Sequence, residues 1–272
     1  MSRPVALITG AAHGIGLETA RRLSATHRIA LLDLDGDALP QAAAGCGADA
    51  LHHVCDITDA AQIDAAVSAV VEEAGGIDVV ISNAGVGVGG ALRSIDPDAL
   101  AATLNVNLVG NWRVIHACLP HIIERRGYVL GVASAAAIAP SLGLGPYSAS
   151  KAGYEILLDV LRTEVKHLGV DVGCAYFLWI DTDMVRGADR DMPAFQRMRD
   201  AQPGFLAKTH PVGDAAQAIV DGVLGRKRGV FAPGWLRYLS GLRMLLRTRL
   251  GERDGLKLAP LACAPSVATL TR

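Results

Sequence analysis

The stretch Thr9-Gly10-Ala11-Ala12-His13-Gly14-Ile15-Gly16 constrains the fold of this chain more than any other. It follows a short apolar run at 5–9 and opens a helical pattern at 14–25. Its glycines let the backbone turn sharply and approach a bulky anion closely. The helix behind them offers unpaired N–H groups and the positive end of its dipole. A strand, a glycine-rich turn and a helix in that order open a βαβ unit that cradles a pyrophosphate. Gly10, Ala12, His13, Gly14, Ile15 and Gly16 are the expected cradle.

The same rhythm runs through the rest of the chain. Apolar runs at 28–32, 50–55, 77–82, 127–134, 171–178 and 229–232 read as strands. Helical patterns occupy 60–74, 99–124, 148–168 and 212–224. Continuous apolar strands are buried on both faces, and strands alternating with helices of this length form βαβ crossovers. The expected class is therefore α/β, a doubly wound parallel sheet. With 272 residues, 51% apolar and 19% charged, the chain can bury a full core without disulfides or metals. That balance excludes a disordered chain or a disulfide-stapled miniprotein. The five cysteines are widely spaced and contain no CxxC, so they read as reduced thiols of a cytoplasmic protein and no metal site is expected. No run of about 18 apolar residues suggests a membrane span. One domain over 1–234 is expected. Within it, 183–210 breaks the rhythm and reads as a substrate lid carrying one or two short helices. Residues 235–272 form an extension.

The second strand ends in Asp33-Leu34-Asp35. A carboxylate at Asp33, about 20 residues past the loop, can accept hydrogen bonds from the adenosine ribose and would repel a 2′-phosphate. This favours NAD over NADP, with Leu34 alongside and Asp35 read as a turn residue.

Thr9-Gly10-(x)3-Gly14-x-Gly16, Cys55-Asp56, Asn83-Ala84-Gly85, Asn107, Ser134 and Tyr147-Ser148-Ala149-Ser150-Lys151 occur in that order. In motif order and spacing over about 3–235 the chain resembles the short-chain dehydrogenase/reductase family. The resemblance implies a Rossmann fold and a Ser-Tyr-Lys-Asn site. Residue chemistry supports the same group. Tyr147 and Lys151 are four apart at a helix start and share one face. An ammonium there can stabilise a phenolate and lower a phenol pKa of about 10. Tyr147 can then exchange a proton with an alcohol or a carbonyl. Ser134, at a strand end, can hold the substrate oxygen. By the resemblance, Asn107 holds a water in a relay to Lys151, Asp56 meets the adenine amino group with Ile57 on its ring, and Asn83, Ala84 and Gly85 line the cofactor while supporting the sheet. Thr182 would hold the nicotinamide carboxamide, with backbone contact from Ile180. The family's Pro-Gly pair after the sixth strand is here Phe177-Leu178, which adds bulk beside the nicotinamide. The helices at 99–124 and 148–168 resemble those that build family dimers and tetramers, and a homotetramer is expected.

The expected pocket wall, Ala135, Ala136, Ala137, Leu142, Leu144, Trp179 and the lid, is small and apolar. Arg186, Arg190, Arg197 and Arg199 on the lid read as solvated charges rather than anion ligands. The expected reaction moves hydride between NAD(H) and an apolar secondary alcohol or ketone, or a lipid-like alcohol/aldehyde pair. The alternatives are an NADPH-dependent carbonyl reductase and a non-catalytic dinucleotide-sensing module. Residues 226–257 carry nine Lys/Arg against Glu252 and Asp254, in a chain of net charge −1. Their amphipathic pattern at 235–250 fits packing over the pocket or a subunit interface, or peripheral contact with an anionic membrane. The acidic remainder argues against nucleic acid.

Overall fold

Every residue of the first strand, β1 (Val5–Thr9), is buried, which requires cover on both faces of the sheet. Val5 and Leu7 enter one apolar cluster while Ala6 and Ile8 enter the other. This is the two-residue alternation of a strand with a core on each side. The computed structural model describes residues 3–139, 141–191, 193–246, 248, 253, 255–257, 259–260 and 270–271.

The further strands of the main sheet are β2 (Arg28–Asp33), β3 (Leu51–Val54), β4 (Val79–Ser82), β5 (Tyr128–Val132), β6 (Asp171–Phe177) and β7 (Gly229–Ala232). They form one seven-stranded sheet in the order β3-β2-β1-β4-β5-β6-β7, every pairing parallel. The chain starts at β1, winds out to β3, then returns to the other side of β1. Ile8 pairs with Leu31 on one side and Ile81 on the other. The crevice at the carboxyl ends of β1 and β4 is thus the switch point, where doubly wound sheets bind ligands.

Helices α1 (Gly14–Leu23), α3 (Ala60–Ala74), α5 (Asn111–Arg125), α7 (Gly145–Val165) and α11 (Val212–Leu224) cover the sheet. Asp59 caps α3 by accepting from the Ala61 and Gln62 amides, and Gly75 closes it at φ 80°. A six-residue α2 (Leu39–Ala44), which burying Leu39, Ala42 and Ala43 stabilises, was not expected.

The structure corrects the sequence expectations at several points. The helix expected over 99–124 is α4 (Pro97–Leu104), a π-helical turn (Asn105–Gly110) and then α5. Buried Asn111 is the physical cause: its Nδ2 donates to the Val106 and Asn107 carbonyls at 3.1 and 3.3 Å, inserting into the helical ladder. Ser134 does not end a strand. The ladder stops at Val132, and Ser134 N-caps a four-residue α6 (Ala135–Ile138). Residues 183–210, expected to hold one or two short helices, hold three: α8 (Asp183–Asp191), α9 (Pro193–Asp200) and α10 (Gly204–Ala207).

After β7 come α12 (Leu236–Gly241) and α13 (Arg243–Leu246). Leu236 is fully buried, and Leu239 and Leu246 lie against the core, while Tyr238, Leu242, Met244 and Leu245 face solvent. Part of the basic excess is neutralised within the fold. Arg226 pairs with Asp171 at 2.7 Å, and Arg243 turns inward onto buried Glu155. Arg247, Arg249 and Arg272 lie outside the described residues. Among the described residues, no helix is long and apolar enough to cross a membrane.

Candidate active site

The glycine loop is shaped by two requirements. Gly10 has φ +63°, and a Cβ on Gly16 would stand 2.1 Å from the Gly10 carbonyl oxygen, so only glycine fits there. Helix α1 begins at Gly14 with His13 as N-cap, without a side-chain cap and without an acidic residue in its first turn. Its amide groups therefore point toward the loop with no carboxylate of that turn competing for them, as an incoming pyrophosphate requires.

Asp33 closes the far side of the loop. Its Oδ2 accepts from the Ala12 amide at 2.8 Å and its Oδ1 from the Asp35 amide at 3.1 Å. Asp35 accepts from the Ala38 amide and lies 2.7 Å from His13 Nε2, a hydrogen bond that holds its carboxyl below the usual range. Leu34 is 49% exposed beside them. Asp56 Oδ1 accepts from both the amide and the hydroxyl of Thr58 at 2.8 Å, and Ile57 is buried. Asn83 ties β4 to β1, donating from Nδ2 to the Thr9 and Gly10 carbonyls at 3.0 and 3.1 Å. The amides of Asn83 and Ala84 donate to Thr9 Oγ1. Across the crevice, Thr182 Cγ2 would meet a Cβ on Gly14 at 3.6 Å, so Thr182 faces the loop while Ile180 buries its side chain.

At the same sheet end, Lys151 extends from α7 and is 3% exposed. Its Nζ donates to the Val132 carbonyl at 2.8 Å and lies 5.7 Å from the centre of the Tyr147 ring. Burial pushes the ammonium down to about 8. Burial also pushes the Tyr147 phenol up, and a hydrogen bond with Ser134 opposes that rise. Desolvation is the larger of these two effects on the phenol. Ser134 Oγ also accepts from the Ala136 amide at 3.1 Å. Fully buried Asn107 accepts from the Val86 amide and donates to its carbonyl, both at 2.8 Å, and donates to Ser150 Oγ at 3.1 Å. A Cβ on Gly85 would lie 3.2 Å from Asn107 Oδ1 and 3.5 Å from Lys151 Nζ, so that glycine keeps the space between them.

Sequence reasoning missed three supporting residues. Asn111 Nδ2 donates to the Ala84 carbonyl at 2.9 Å, Ser82 Oγ donates to Asn111 Oδ1 at 2.5 Å, and Ser150 joins Asn107 to the Tyr147 carbonyl. The available signal was a second asparagine four positions, about one helical turn, after Asn107.

A cleft opens over the Ser134 and Tyr147 hydroxyls. Ser134, Ser141 and Tyr147 bring hydroxyls to its wall, and none of the described residues lining it is charged. Ala135, Ala136, Leu144, Phe177, Leu178 and Trp179 form much of the remainder, with Met184, Val185 and Ala188 from α8. Ala137 and Leu142 are not among these lining residues. Arg199 is not solvated as expected: it is 9% exposed, pairs with Asp189 at 2.7 Å and lies 5.8 Å from the Trp179 ring. Arg186 is exposed and pairs with Asp181 and Asp183.

Comparison with known proteins agrees with this architecture. (+)-Borneol dehydrogenase 1 of Salvia officinalis is 29% identical over 248 residues, covering 89% of this chain and 91% of that protein. 17-beta-Hydroxysteroid dehydrogenase 13 of Rattus norvegicus is 28% identical over 252 residues, covering 90% and 79%. The solved structure of a short chain dehydrogenase/reductase from Burkholderia phymatum in complex with NAD superposes with a TM-score of 0.76 at 22% identity, covering 94% of this chain and 95% of that one. The family model described as short chain dehydrogenase matches residues 4–193, and with that match laid on a seven-stranded doubly wound sheet, the chain belongs to the short-chain dehydrogenase family.

Proposed function

We propose that this oxidoreductase moves hydride between NAD(H) and an apolar secondary alcohol or its ketone. The observation that carries this reading is the cleft itself, which sets two hydroxyls, Ser134 and Tyr147, against an apolar, uncharged wall. A substrate carboxylate or phosphate would find no cation among the described lining residues. An apolar body with one oxygen finds both burial and hydrogen bonds.

The bound nicotinamide would supply or accept the hydride. Gly10, Ala12, His13, Gly14, Ile15 and Gly16 would hold the pyrophosphate, and Asp33 the adenosine ribose, with Leu34 beside it. Asp56 and Ile57 would bound the adenine, and Ile180 and Thr182 the carboxamide. Ala84 and Gly85 would line the cofactor, whereas Asn83 acts through the loop it braces. Ser134 orients the substrate oxygen. Tyr147 gives that oxygen a proton in reduction and takes it back in oxidation. Lys151 would favour the phenolate as a nearby cation, and Asn107 would hold a water in the relay to Lys151. Exposed Ile156 and Val160 on α7 fit packing against a second copy in a homo-oligomer.

The test is a titration with NADH and NADPH side by side, followed by a screen of apolar secondary alcohols. NADH should bind at least about tenfold more tightly, a difference of about 1.4 kcal/mol. Asp33→Ser should narrow that ratio, because the carboxylate that repels a 2′-phosphate is gone. Preference for NADPH in the natural chain would shift the reading to a carbonyl reductase. Binding of neither would mean that Phe177 and Leu178 close the site, leaving a non-catalytic chain.

A further inference from the structure

The C-terminal extension reaches the molecule behind the proposed catalytic group. Glu155 sits on α7 one helical turn beyond Lys151 and is 4% exposed. Arg243 Nη2 donates to its two carboxylate oxygens at 2.9 and 2.6 Å. The Tyr176 hydroxyl donates to Oε1 at 2.7 Å, and its ring stacks on Phe231 with centroids 5.0 Å apart. The same Arg243 nitrogen lies 3.5 Å from the Ala137 carbonyl oxygen, in the short helix that Ser134 caps. One side chain of the extension thus touches both the helix bearing Tyr147 and Lys151 and the turn bearing Ser134.

We propose that Arg243 is a positioning residue for hydride transfer: by clamping Glu155 and Ala137 together it fixes Tyr147, Lys151 and Ser134 relative to one another, and makes the extension part of the catalytic unit. This rests on the reading of those three residues given above. A carboxylate this buried, left without its cation, either pulls its helix toward water or takes up a proton. Tyr176 and Cys174 on β6 and Asp159 on α7 also face the pair, and the cation nearest them, Arg162, is held by Asp159. Displacement of reacting groups by about 1 Å lowers rates by about 100-fold.

The full chain should be tested as Arg243→Met, Arg243→Lys and Arg243→Met with Glu155→Gln. Arg243→Met should lower kcat about tenfold or more and leave the KM for NADH within about twofold, since the glycine loop is untouched. Arg243→Lys should recover part of kcat. The double variant, which strands no charge and should fold where the single one does not, should stay about as slow, because it too lacks the clamp. An Arg243→Met enzyme with undiminished kcat, or a double variant that regains the natural kcat, would overturn the proposal. Failure of the underlying site reading has a separate signature, a Tyr147→Phe enzyme that keeps its activity.

Discussion

Tyr147→Phe is expected to lower kcat by about 10³-fold, within the 10²–10⁴ range that a positioned proton donor contributes. The variant removes one oxygen and leaves the ring that lines the cleft. NADH affinity should therefore stay within about threefold, and the loss should appear in kcat rather than in KM. Folding should be affected little, because Tyr147 is only half-buried and its hydroxyl bonds with Ser134 at the cleft wall. The pH dependence follows from the same surroundings. Burial pushes the phenol upward, so it stays protonated at neutral pH and is ready to donate in ketone reduction. Alcohol oxidation needs the opposite state and should speed up as pH rises. Reduction should hold steady and then decline as Lys151 loses its charge near pH 8. Steady-state kinetics in both directions over pH 6 to 10 reads all of this. Natural-level activity in Tyr147→Phe would remove Tyr147 from the chemistry and move the search to Ser134 and Ser141.

The parts of this molecule that were legible in the sequence are those where local chemistry leaves one solution. Gly10 and Gly16 are required by a left-handed turn and by a 2.1 Å approach that no side chain survives. Strands β1, β4 and β5 announced themselves because both faces are buried. What escaped depends on partners distant in the chain. The periodicity at 105–110 is compatible with an ordinary helix, and the π-helical turn exists because Asn111 also meets Ala84 from β4. The apolar run at 127–134 outlasts its ladder because β6 offers Val132 a partner and Ser134 none. Arg199 and Arg243 looked solvated or membrane-facing because the charges that bury them cannot be paired from spacing. Glu155 is 88 positions from Arg243. The glycine loop and its crevice were therefore readable from local motifs, while the Arg243–Glu155 contact behind them was not.

Lys151→Met should make the fold more stable at pH 7 while removing activity. Lys151 is 3% exposed, its one protein acceptor is the Val132 carbonyl, and desolvation is the largest effect on its ammonium. In the folded chain that group titrates at about 8. Unfolded, it titrates near 10.4. Between those values the unfolded chain binds more protons, so stability rises with pH across that window. Below pH 8 the whole penalty of the buried charge is present, about 3 kcal/mol from the difference in pKa. Methionine fills a similar volume without charge but gives up the hydrogen bond to Val132, at a cost of about 1 kcal/mol. A net gain of about 2 kcal/mol at pH 7 follows, shrinking as pH rises from 8 toward 10.4. Urea unfolding of both chains at pH 7 and pH 10 measures it. A Met variant less stable than the natural chain at pH 7 would mean that the hydrogen bond outweighs desolvation. The expected result would mean that Lys151 weakens the fold, and that its place beside Tyr147 is explained by the proton chemistry rather than by packing.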